Sequence, residues 1–285
     1  MFRIPPKVAA IHDLSCFGRC ALTVIIPTLS ALGVQTVPLP TALLSTHTGG
    51  FENMFFADLS HEMDEISSHF SELDLKFDAI YSGFLGSEAQ IERVASFIDN
   101  FAAKDAPIFV DPVMGDDGTL YSTYTKELGE GMRHLVSKAD IITPNYTEAC
   151  FLTDTPYRPT EDLSDKELDD TALRLLEKLG KTGAQKIAVT GFETNDKVIT
   201  YGKDGKDIFK DEKKRLSAGY PGTGDVFASV LLGNYLANKD FADATRKACD
   251  FTAKVIEYTM QFPTPHRDGV MLEPCLNLLF QEKKL

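Results

Sequence analysis

The 285-residue chain lacks an apolar run long enough to span a membrane, and its first residues lack the apolar core and small-residue cleavage site of a signal peptide. Basic residues are few, because 29 Lys and Arg stand against 42 Asp and Glu and give a formal net charge of −13. Proteins that bind nucleic acid or anionic membrane surfaces depend on basic patches, so this charge argues against both classes. We therefore expect a cytoplasmic protein with small-molecule ligands.

Cysteine is also scarce, and its placement excludes some kinds of site. The five cysteines are scattered and include no C-x-x-C pair; they are Cys16, Cys20, Cys150, Cys249 and Cys275. An odd number at irregular spacing argues against a disulfide framework, and the lack of paired cysteines argues against a zinc site. Free, structural thiols are the simpler interpretation.

Several common catalytic motifs are missing. The residues "GKT" at 180–182 resemble the end of a phosphate-binding P-loop, but Leu175 stands where the first glycine belongs, and the segment follows a helix rather than a strand. No G-x-G-x-x-G follows the first strand, and neither G-x-S-x-G nor H-E-x-x-H occurs. These absences argue against P-loop and dinucleotide-binding folds, serine hydrolases and zinc peptidases.

What is present is an alternation of short apolar runs with longer amphipathic ones. Strand-like runs lie at 7–13, 34–40, 77–86, 107–118, 139–145 and 185–191, with a glycine-containing hairpin near 197–214. Helix-like runs lie at 20–33, 90–104, 165–180, 224–238 and 240–260, and the segment 41–76 also looks helical. This order predicts βαβ units in one α/β domain spanning residues 1–285, with a mainly parallel sheet covered by helices on both faces.

In such sheets, ligands bind outside the carboxyl ends of the strands. The polar residues at those ends are predicted to converge on one crevice. They are Asp13, Ser82 with Gly83, Asp111, Thr143 with Asn145, and Thr190 with Gly191.

The stretch "PGTGD" at 221–225 begins the helix predicted from 224. Gly222 and Gly224 have no Cβ, so their backbone N–H groups can approach a ligand, and the start of a helix binds anions well. The alternative is an ordinary glycine turn in which Asp225 merely stabilises the first turn of the helix.

A second polar group combines "DPVMGDD" at 111–117 with "NYTE" at 145–148. Asn145 and Glu148 are three residues apart and would share one face of a helix. Together with Asp111 they offer the oxygen ligands that Mg²⁺ prefers, often alongside substrate phosphates. The alternative is a loop acid and a helix-start acid without a ligand.

Read together and in order, these motifs resemble the ribokinase-like superfamily, and within it the pyridoxal (vitamin B6) kinases. The resemblance covers nearly the whole chain. It is carried by "IHDLSCFGRCALT" (11–23), "LSTHTGG" (44–50), "SGFLGS" (82–87), "DPVMGDDGTLY" (111–121), "ADIITPNYTEACFLT" (139–153) and "PGTGDVF" (221–227).

The resemblance implies a three-layer ribokinase-like sandwich and an activity. The activity would be transfer of the γ-phosphate of ATP, with Mg²⁺, to the 5′-hydroxymethyl group of pyridoxal, pyridoxamine or pyridoxine. Members of the family are commonly homodimers, which implies the same assembly here.

The resemblance also implies roles for particular residues. Asp225 would be the catalytic base, and Gly222, Thr223 and Gly224 would form the anion hole. Asp111, Asn145, Glu148 and Thr190, with Gly222 and Thr223, would bind ATP; Asp111 and Glu148 would hold the metal. Asp13, Thr48, Phe84 and Asp225 would contact the substrate, and 203–217 would border the adenine.

Two positions depart from the B6-kinase pattern, in which Ser commonly stands at Asp13 and Tyr at Phe84. Asp13 adds a charge that can pair with a pyridine N–H or an amine, so the departures bear on the preferred vitamer. Hydroxymethylpyrimidine kinases share the GTGD end and are the main alternative, although their first turn usually reads "G.DPSGGAG" rather than "HDLSCFGRC".

Two further alternatives differ more. A non-catalytic vitamin- or nucleotide-binding protein on the same fold would not need a base, so the combination of Asp111, Glu148 and Asp225 speaks against it. A sugar or nucleoside kinase of the superfamily usually carries an inserted lid of strands, for which the segment 41–76 looks too short and too helical.

Overall fold

The computed structural model describes residues 4–121, 124–217 and 219–280. In these residues the strands are β1 (Lys7–Phe17), β2 (Gln35–Thr46), β3 (Phe56–Asp58), β4 (Ala79–Ser82), β5 (Ile108–Val110), β6 (Gly115–Asp116), β7 (Thr119–Leu120), β8 (Ile141–Ile142), β9 (Lys186–Glu193), β10 (Lys197–Asp204) and β11 (Asp207–Lys214). The helices are α1 (Leu22–Ala31), α2 (Ser60–Glu72), α3 (Glu88–Phe101), α4 (Lys126–Ser137), α5 (Tyr146–Leu152), α6 (Asp165–Gly180), α7 (Thr223–Asn238) and α8 (Phe241–Thr259).

The main sheet has nine strands in the described residues, in the order β11-β10-β9-β8-β5-β4-β1-β2-β3. The six strands from β9 to β2 run parallel, whereas β3 at one edge and the β10–β11 hairpin at the other are antiparallel additions. The strands β6 and β7 form a separate two-stranded hairpin after β5. Because the central strands are parallel, their carboxyl ends all meet at one edge of the sheet.

Helices cover both faces of the sheet, and the side chains of each strand alternate between two cores. On β1, Ala9 and Ile11 face a core shared with α2 to α6, while Val8 and Ala10 face a core shared with α1, α7 and α8. Strands buried on both faces are continuously apolar, as expected for parallel strands sandwiched between helices. This confirms the predicted α/β sandwich with a mainly parallel sheet, and the predicted hairpin near 197–214 is β10–β11.

The prediction for the segment 41–76 was wrong in its first part. Strand β2 continues to Thr46 and β3 pairs with it, so the helix of this segment begins only at Ser60. The apolar residues near 41–44 alternate poorly, and tertiary pairing with β1 decides their conformation. Strand β1 is also longer than predicted, and its register with β2 slips between His12 and Leu14.

None of the helices in the described part of the chain is both long enough and apolar enough to cross a membrane. The strongly apolar α7 shares one core with α1, α8 and the sheet, where its side chains from Val226 to Leu232 are buried.

Candidate active site

The polar residues predicted to converge lie at the carboxyl ends of adjacent parallel strands, and we call the space at these strand ends the crevice. The backbone N–H of Asp111, just after β5, donates to the carbonyl of Ser82 on β4 (2.8 Å). The hydroxyl of Thr143, just after β8, donates to the Asp111 carboxylate (3.1 Å). Asn145 forms a single bridge with Thr190 on β9. Polar groups from successive strand ends therefore hold one another in place.

Asp111 is a buried carboxyl group with only 7% of its surface exposed. Burial raises its pKa above the ordinary range, the charge of Asp225 raises it further, and the hydrogen bond from Thr143 opposes both. Because the charge of Asp225 raises the pKa of Asp111, the two sequence motifs lie close enough to interact electrostatically, although they are 114 residues apart in the chain.

Asn145 and Glu148 build the start of α5 as a reciprocal capping box. The Asn145 side chain accepts from the N–H of Glu148 (2.8 Å), and the Glu148 carboxylate accepts from the N–H of Asn145 (2.8 Å). The second oxygen of Glu148 accepts from the N–H of Met114 (3.0 Å), and the Asn145 amide donates to the carbonyl of Gly115 (2.8 Å). The two side chains thus fix the acidic loop after β5 against α5.

The Glu148 carboxyl group is 4% exposed, and burial followed by the charge of Asp111 raises its pKa well above the usual range. No cluster of three His, Cys, Asp or Glu able to hold a metal occurs in the described residues. Magnesium in phosphoryl-transfer sites commonly takes one or two carboxylates, with waters and phosphate oxygens as its other ligands. Asp111 and Glu148 fit that demand, because a divalent cation would relieve the repulsion between two buried acids.

The GTGD stretch forms the start of α7. Gly222 adopts a left-handed conformation (φ 80°), and a Cβ there would lie 2.1 Å from the carbonyl oxygen of Arg19. The first hydrogen bond of α7 runs from the N–H of Val226 to the carbonyl of Gly222, so the N–H groups of Thr223, Gly224 and Asp225 have no partner inside the helix. A Cβ at Gly224 would meet no atom within 4 Å, so the space beside these donors is open.

Asp225 does not cap its own helix. One of its carboxylate oxygens accepts from the backbone N–H of Ala21 (2.8 Å) and lies 3.4 Å from the Cys20 sulfur. Both residues belong to the turn between β1 and α1, which lies against the start of α7 at Gly222. Burial raises the pKa of Asp225, and the hydrogen bonds from Ala21 and Cys20 oppose the rise. A backbone donor of the β1–α1 turn therefore holds the carboxylate, whose charge raises the pKa of Asp13 and Asp111 at the strand ends.

The residues expected to contact a substrate differ in exposure. Asp13 is 6% exposed and accepts a hydrogen bond from the hydroxyl of Ser15 (2.8 Å). Burial raises the pKa of Asp13 to about 6, the Ser15 contact opposes this, and the charge of Asp225 adds to it. Phe84 is half-buried after β4, whereas Thr48 is exposed in the loop after β2.

The segment 203–217, which was expected to border the adenine, extends from one end of the strands to the other. Strand β11 runs in the same direction as β9, so its last residues reach the crevice edge, where Arg215 pairs with Glu193 (2.8 Å). The turn after Asp204 lies at the opposite edge, since the N–H of Gly205 donates to the carbonyl of Gln185 before β9. Only the second half of the segment therefore lies on the crevice side.

Sequence reasoning missed the residues that hold Asp225 and the loop after β2. Cys20 and Ala21 contact a carboxylate 205 and 204 positions away, and no periodic pattern signals such a pairing. His47 is 5% exposed and uses both ring nitrogens, one with the N–H of Gly49 and one with the carbonyl of Arg267. The only available signal was its place inside the loop sequence "LSTHTGG".

A comparison with protein-family models matches residues 10–269 to the family described as phosphomethylpyrimidine kinase. Two curated relatives illustrate the range of the match. A protein of Caenorhabditis elegans named "Putative pyridoxal kinase" is 28% identical over 72% of this chain, which spans 63% of that protein's length. The "Hydroxymethylpyrimidine/phosphomethylpyrimidine kinase" of Bacillus subtilis is 25% identical over 92% of this chain and 87% of its own.

Two solved structures are similar over almost the whole chain. One, described as a "putative phosphomethylpyrimidine kinase" of Bacteroides thetaiotaomicron in a crystal form with pyridoxal, is 40% identical, with a TM-score of 0.88 and coverage of 99% of this chain and 98% of that one. The pyridoxal kinase of Lactobacillus plantarum is 29% identical, with a TM-score of 0.86 and 96% coverage of both chains. The fold is therefore ribokinase-like, as the sequence motifs implied.

The two glycines before Asp225 are expected to respond differently to alanine. In Gly222→Ala the new Cβ meets the Arg19 carbonyl in a left-handed backbone, so the thermal midpoint should fall. In Gly224→Ala the fold should stay as stable as wild type, while phosphoryl transfer falls about tenfold or more because a methyl group stands beside the helix N–H donors. Equal losses of stability in the two variants, measured by thermal unfolding, would contradict this.

Stability should depend on pH through Asp13. Its pKa is higher in the folded protein, about 6, than the roughly 3.9 of an unfolded aspartate, so folding takes up a proton between these values. Stability from this group is complete at low pH and is lost as the pH rises from about 4 to about 6. Asp13→Asn has no such loss. The thermal midpoint of the variant minus that of wild type should therefore increase from about pH 4 to about pH 6 and stay constant above that range.

The matched control for this measurement is Asp170→Asn on the exposed face of α6, which removes a carboxylate outside the crevice. A difference between Asp13→Asn and wild type that is the same at pH 4 and pH 7 would show that burial does not raise the Asp13 pKa.

Proposed function

The chain belongs to the phosphomethylpyrimidine kinase family, and on that basis we propose that it phosphorylates the 5′-hydroxymethyl group of pyridoxal, pyridoxamine or pyridoxine with ATP. The crystal form with pyridoxal, obtained for a protein 40% identical to this chain, supports a B6 vitamer as the acceptor. The same family membership supports ATP as the phosphoryl donor.

The observation that carries the proposal is the orientation of Asp225. Its carboxylate lies at the crevice side of the α7 start, beside N–H groups that have no partner within the helix. An acid beside an anion-binding turn is electrostatically unfavourable for binding alone. It is useful when a hydroxyl must lose its proton while it attacks a phosphoryl group held by those donors.

In the proposed reaction the acceptor oxygen forms a bond to the γ-phosphorus of ATP, and the bond between that phosphorus and the β,γ-bridging oxygen breaks. ADP leaves with the bridging oxygen, and Asp225 takes the hydroxyl proton. The N–H groups of Thr223 and Gly224 would stabilise the transferring phosphoryl group, which requires positioning and charge neutralisation more than covalent catalysis. Thr190 and Asn145 would lie beside the nucleotide phosphates.

Magnesium is part of the proposal. Asp111 and Glu148 would hold the ion, which would supply charge neutralisation for the ATP phosphates. Both oxygens of Glu148 already accept backbone N–H groups, so Asp111 is the better candidate for direct coordination. Loss of activity in excess chelator and its return with added Mg²⁺ would test this; full activity in chelator would exclude it.

At the acceptor end, we propose that Asp13 selects a ligand with a positively charged ring or amine. Burial, and with it the charge of Asp225, raises the pKa of its carboxyl group to about 6, so a cationic group nearby would favour ionisation of both acids. Phe84 would contact the ring face, and Thr48 in the loop after β2 would complete the substrate side.

The alternative acceptor is hydroxymethylpyrimidine or its phosphate. The description of the matching family and the name of the Bacillus subtilis relative favour it. Both acceptors are flat heteroaromatic rings that carry a hydroxymethyl group, and both would use Asp225 in the same way. A non-catalytic vitamin- or nucleotide-binding protein is the other candidate, and phosphate transfer in a single-turnover assay would exclude it.

We also propose a homodimer in the cytoplasm. The exposed phenyl rings of Phe17, Phe55 and Phe56 lie at the β1–β2–β3 edge, and an exposed aromatic patch at a sheet edge suits contact with a second copy of the chain. Five free cysteines suit a reducing compartment. Light scattering of the purified protein would give the assembly; a monomer at micromolar concentration would refute the dimer.

Asp225→Asn is expected to lower turnover with pyridoxal by about a hundredfold or more, because the amide cannot accept the proton. ATP and pyridoxal affinities should change little, since Asn can still accept from the Ala21 N–H. Asp243→Asn is the matched control, because Asp243 is likewise a first-turn acid of a long helix but lies on α8. Turnover of Asp225→Asn within about threefold of wild type would refute the base assignment.

Asp13→Ser, which restores the residue common among B6 kinases, tests acceptor selection. We expect the variant to lose kcat/KM most for the acceptor that carries a positive charge and least for hydroxymethylpyrimidine, because the Asp13 charge acts on cations. A coupled ADP-release assay would compare pyridoxal, pyridoxamine, pyridoxine and hydroxymethylpyrimidine for both proteins. The same fractional change for every acceptor would exclude a role in selection.

A further inference from the structure

The segment that follows α8 contacts three loops that surround Asp225. We call residues 265–273, which follow α8 and contain the 3-10 turn His266–Asp268, the C-terminal clamp. The three loops are the β1–α1 turn (residues 18–21), the loop after β2 (residues 47–51) and the loop before α7 (residues 219–222). Each of them carries or borders residues of the proposed substrate site.

The first contact joins the clamp to the β1–α1 turn. The N–H of Arg19 donates to the carbonyl of Asp268 (3.2 Å), and its guanidinium makes two contacts with the Glu273 carboxylate (2.9 and 3.0 Å). The next residues of this turn, Cys20 and Ala21, hold the Asp225 carboxylate. The carbonyl of Arg19 also lies against Gly222. A shift of Arg19 would therefore move the contacts of both Gly222 and Asp225 at the start of α7.

The second contact joins the clamp to the loop after β2. Nδ1 of His47 accepts from the N–H of Gly49 (3.1 Å), which leaves Nε2 to donate to the carbonyl of Arg267 (2.7 Å). The Arg267 guanidinium in turn lies 4.9 Å from the centroid of the Phe51 ring. Thr48 lies between these two attachment points.

The third contact joins the clamp to the loop before α7. The rings of Tyr220 and His266 are stacked, with centroids 4.9 Å apart and planes 19° apart. Tyr220 is also the residue whose carbonyl accepts from the Thr223 hydroxyl at the first position of α7 (3.0 Å). The ring stack therefore connects the clamp to the residues that lead into the anion-binding turn.

We propose that the C-terminal clamp is a positioning element of the acceptor site, which sets the distance between the substrate loop and Asp225 through Arg19, His47 and His266. The kinetic part of this inference rests on the proposed function. The three loops also touch one another, with Gly18 beside the His47 ring and Gly222 against the Arg19 carbonyl. The turn His266–Asp268 contacts all three of them, so it joins them in one place. In the described residues, no hydrogen bond, ion pair or ring contact joins Asp111 or Glu148 to the clamp.

The test combines His266→Ala with Glu273→Gln, which removes the ring stack and one ion pair without touching a proposed catalytic residue. We expect kcat/KM for the acceptor to fall about tenfold or more, because small misplacements of reacting groups are costly, while KM for ATP stays within about threefold. His266→Phe keeps a ring that can stack and should restore most of the loss caused by His266→Ala. Equal changes for acceptor and ATP would overturn a role in acceptor positioning.

Asp99→Asn is the matched control for Glu273→Gln. The Lys138–Asp99 ion pair has nearly the same exposure, 28% and 63%, as the Arg19–Glu273 pair, 32% and 64%, but it lies outside the crevice. Its removal should leave both kinetic constants unchanged. A loss of acceptor kcat/KM in Asp99→Asn as large as in Glu273→Gln would mean that general destabilisation, not the clamp, causes the effect.

Hydrogen exchange separates failure of the clamp from failure of the proposed function. In the double variant, deuterium uptake should rise in peptides covering 18–21, 47–51 and 219–225, and stay unchanged in α3 and α6. Unchanged uptake in all three loops would refute the positioning role of the clamp, regardless of which acceptor the enzyme phosphorylates. If the wild-type protein phosphorylates none of the acceptors, the proposed function is refuted. The exchange result would still show whether the clamp positions the three loops.

Discussion

Four carboxyl groups share one poorly hydrated crevice, and their mutual repulsion is the constraint on which the site depends. Burial raises the pKa of Asp13, Asp111, Glu148 and Asp225, and in three of them a neighbouring acid of the same group raises it further. A parallel sheet makes this arrangement possible, because the carboxyl ends of its strands meet at one edge. Burying these acids together is unfavourable for the free energy of folding. Hydrogen bonds from Ser15, Thr143 and backbone N–H groups oppose this effect.

The start of α7 shows how one short segment can combine anion binding with an acid. Gly222 turns the chain so that three N–H groups point out of the helix, and the Ala21 N–H holds Asp225 on the side of the crevice. A helix cap in the usual sense would have turned the carboxylate toward its own backbone, and the geometry of the N-cap at Gly222 makes no use of it.

Much of this arrangement follows from the sequence, and the part that does not has a physical reason. Alternating apolar runs place strands and helices, so the strand-end residues Asp111, Thr143 and Thr190 were predicted to converge, and they do. The capping box of Asn145 and Glu148 is local and could be read from a spacing of three. Contacts such as Ala21 with Asp225 depend on how α1 and α7 pack on the sheet, which no local pattern encodes. The same holds for the register slip at Asp13 and for the half of 203–217 that lies at the far edge.

The raised pKa values have a consequence for how ligands and protons are linked. Burial and neighbouring charge raise the pKa of Asp111 to about 8 and the pKa of Glu148 well above its usual range, so both groups hold protons more tightly than a surface carboxylate does. A cation bound beside these groups would favour their ionised forms, and their protons would then pass to the solvent. Ligand binding is then also an acid-releasing event, so apparent affinities will vary with pH, and measured binding enthalpies will vary with the ionisation enthalpy of the buffer.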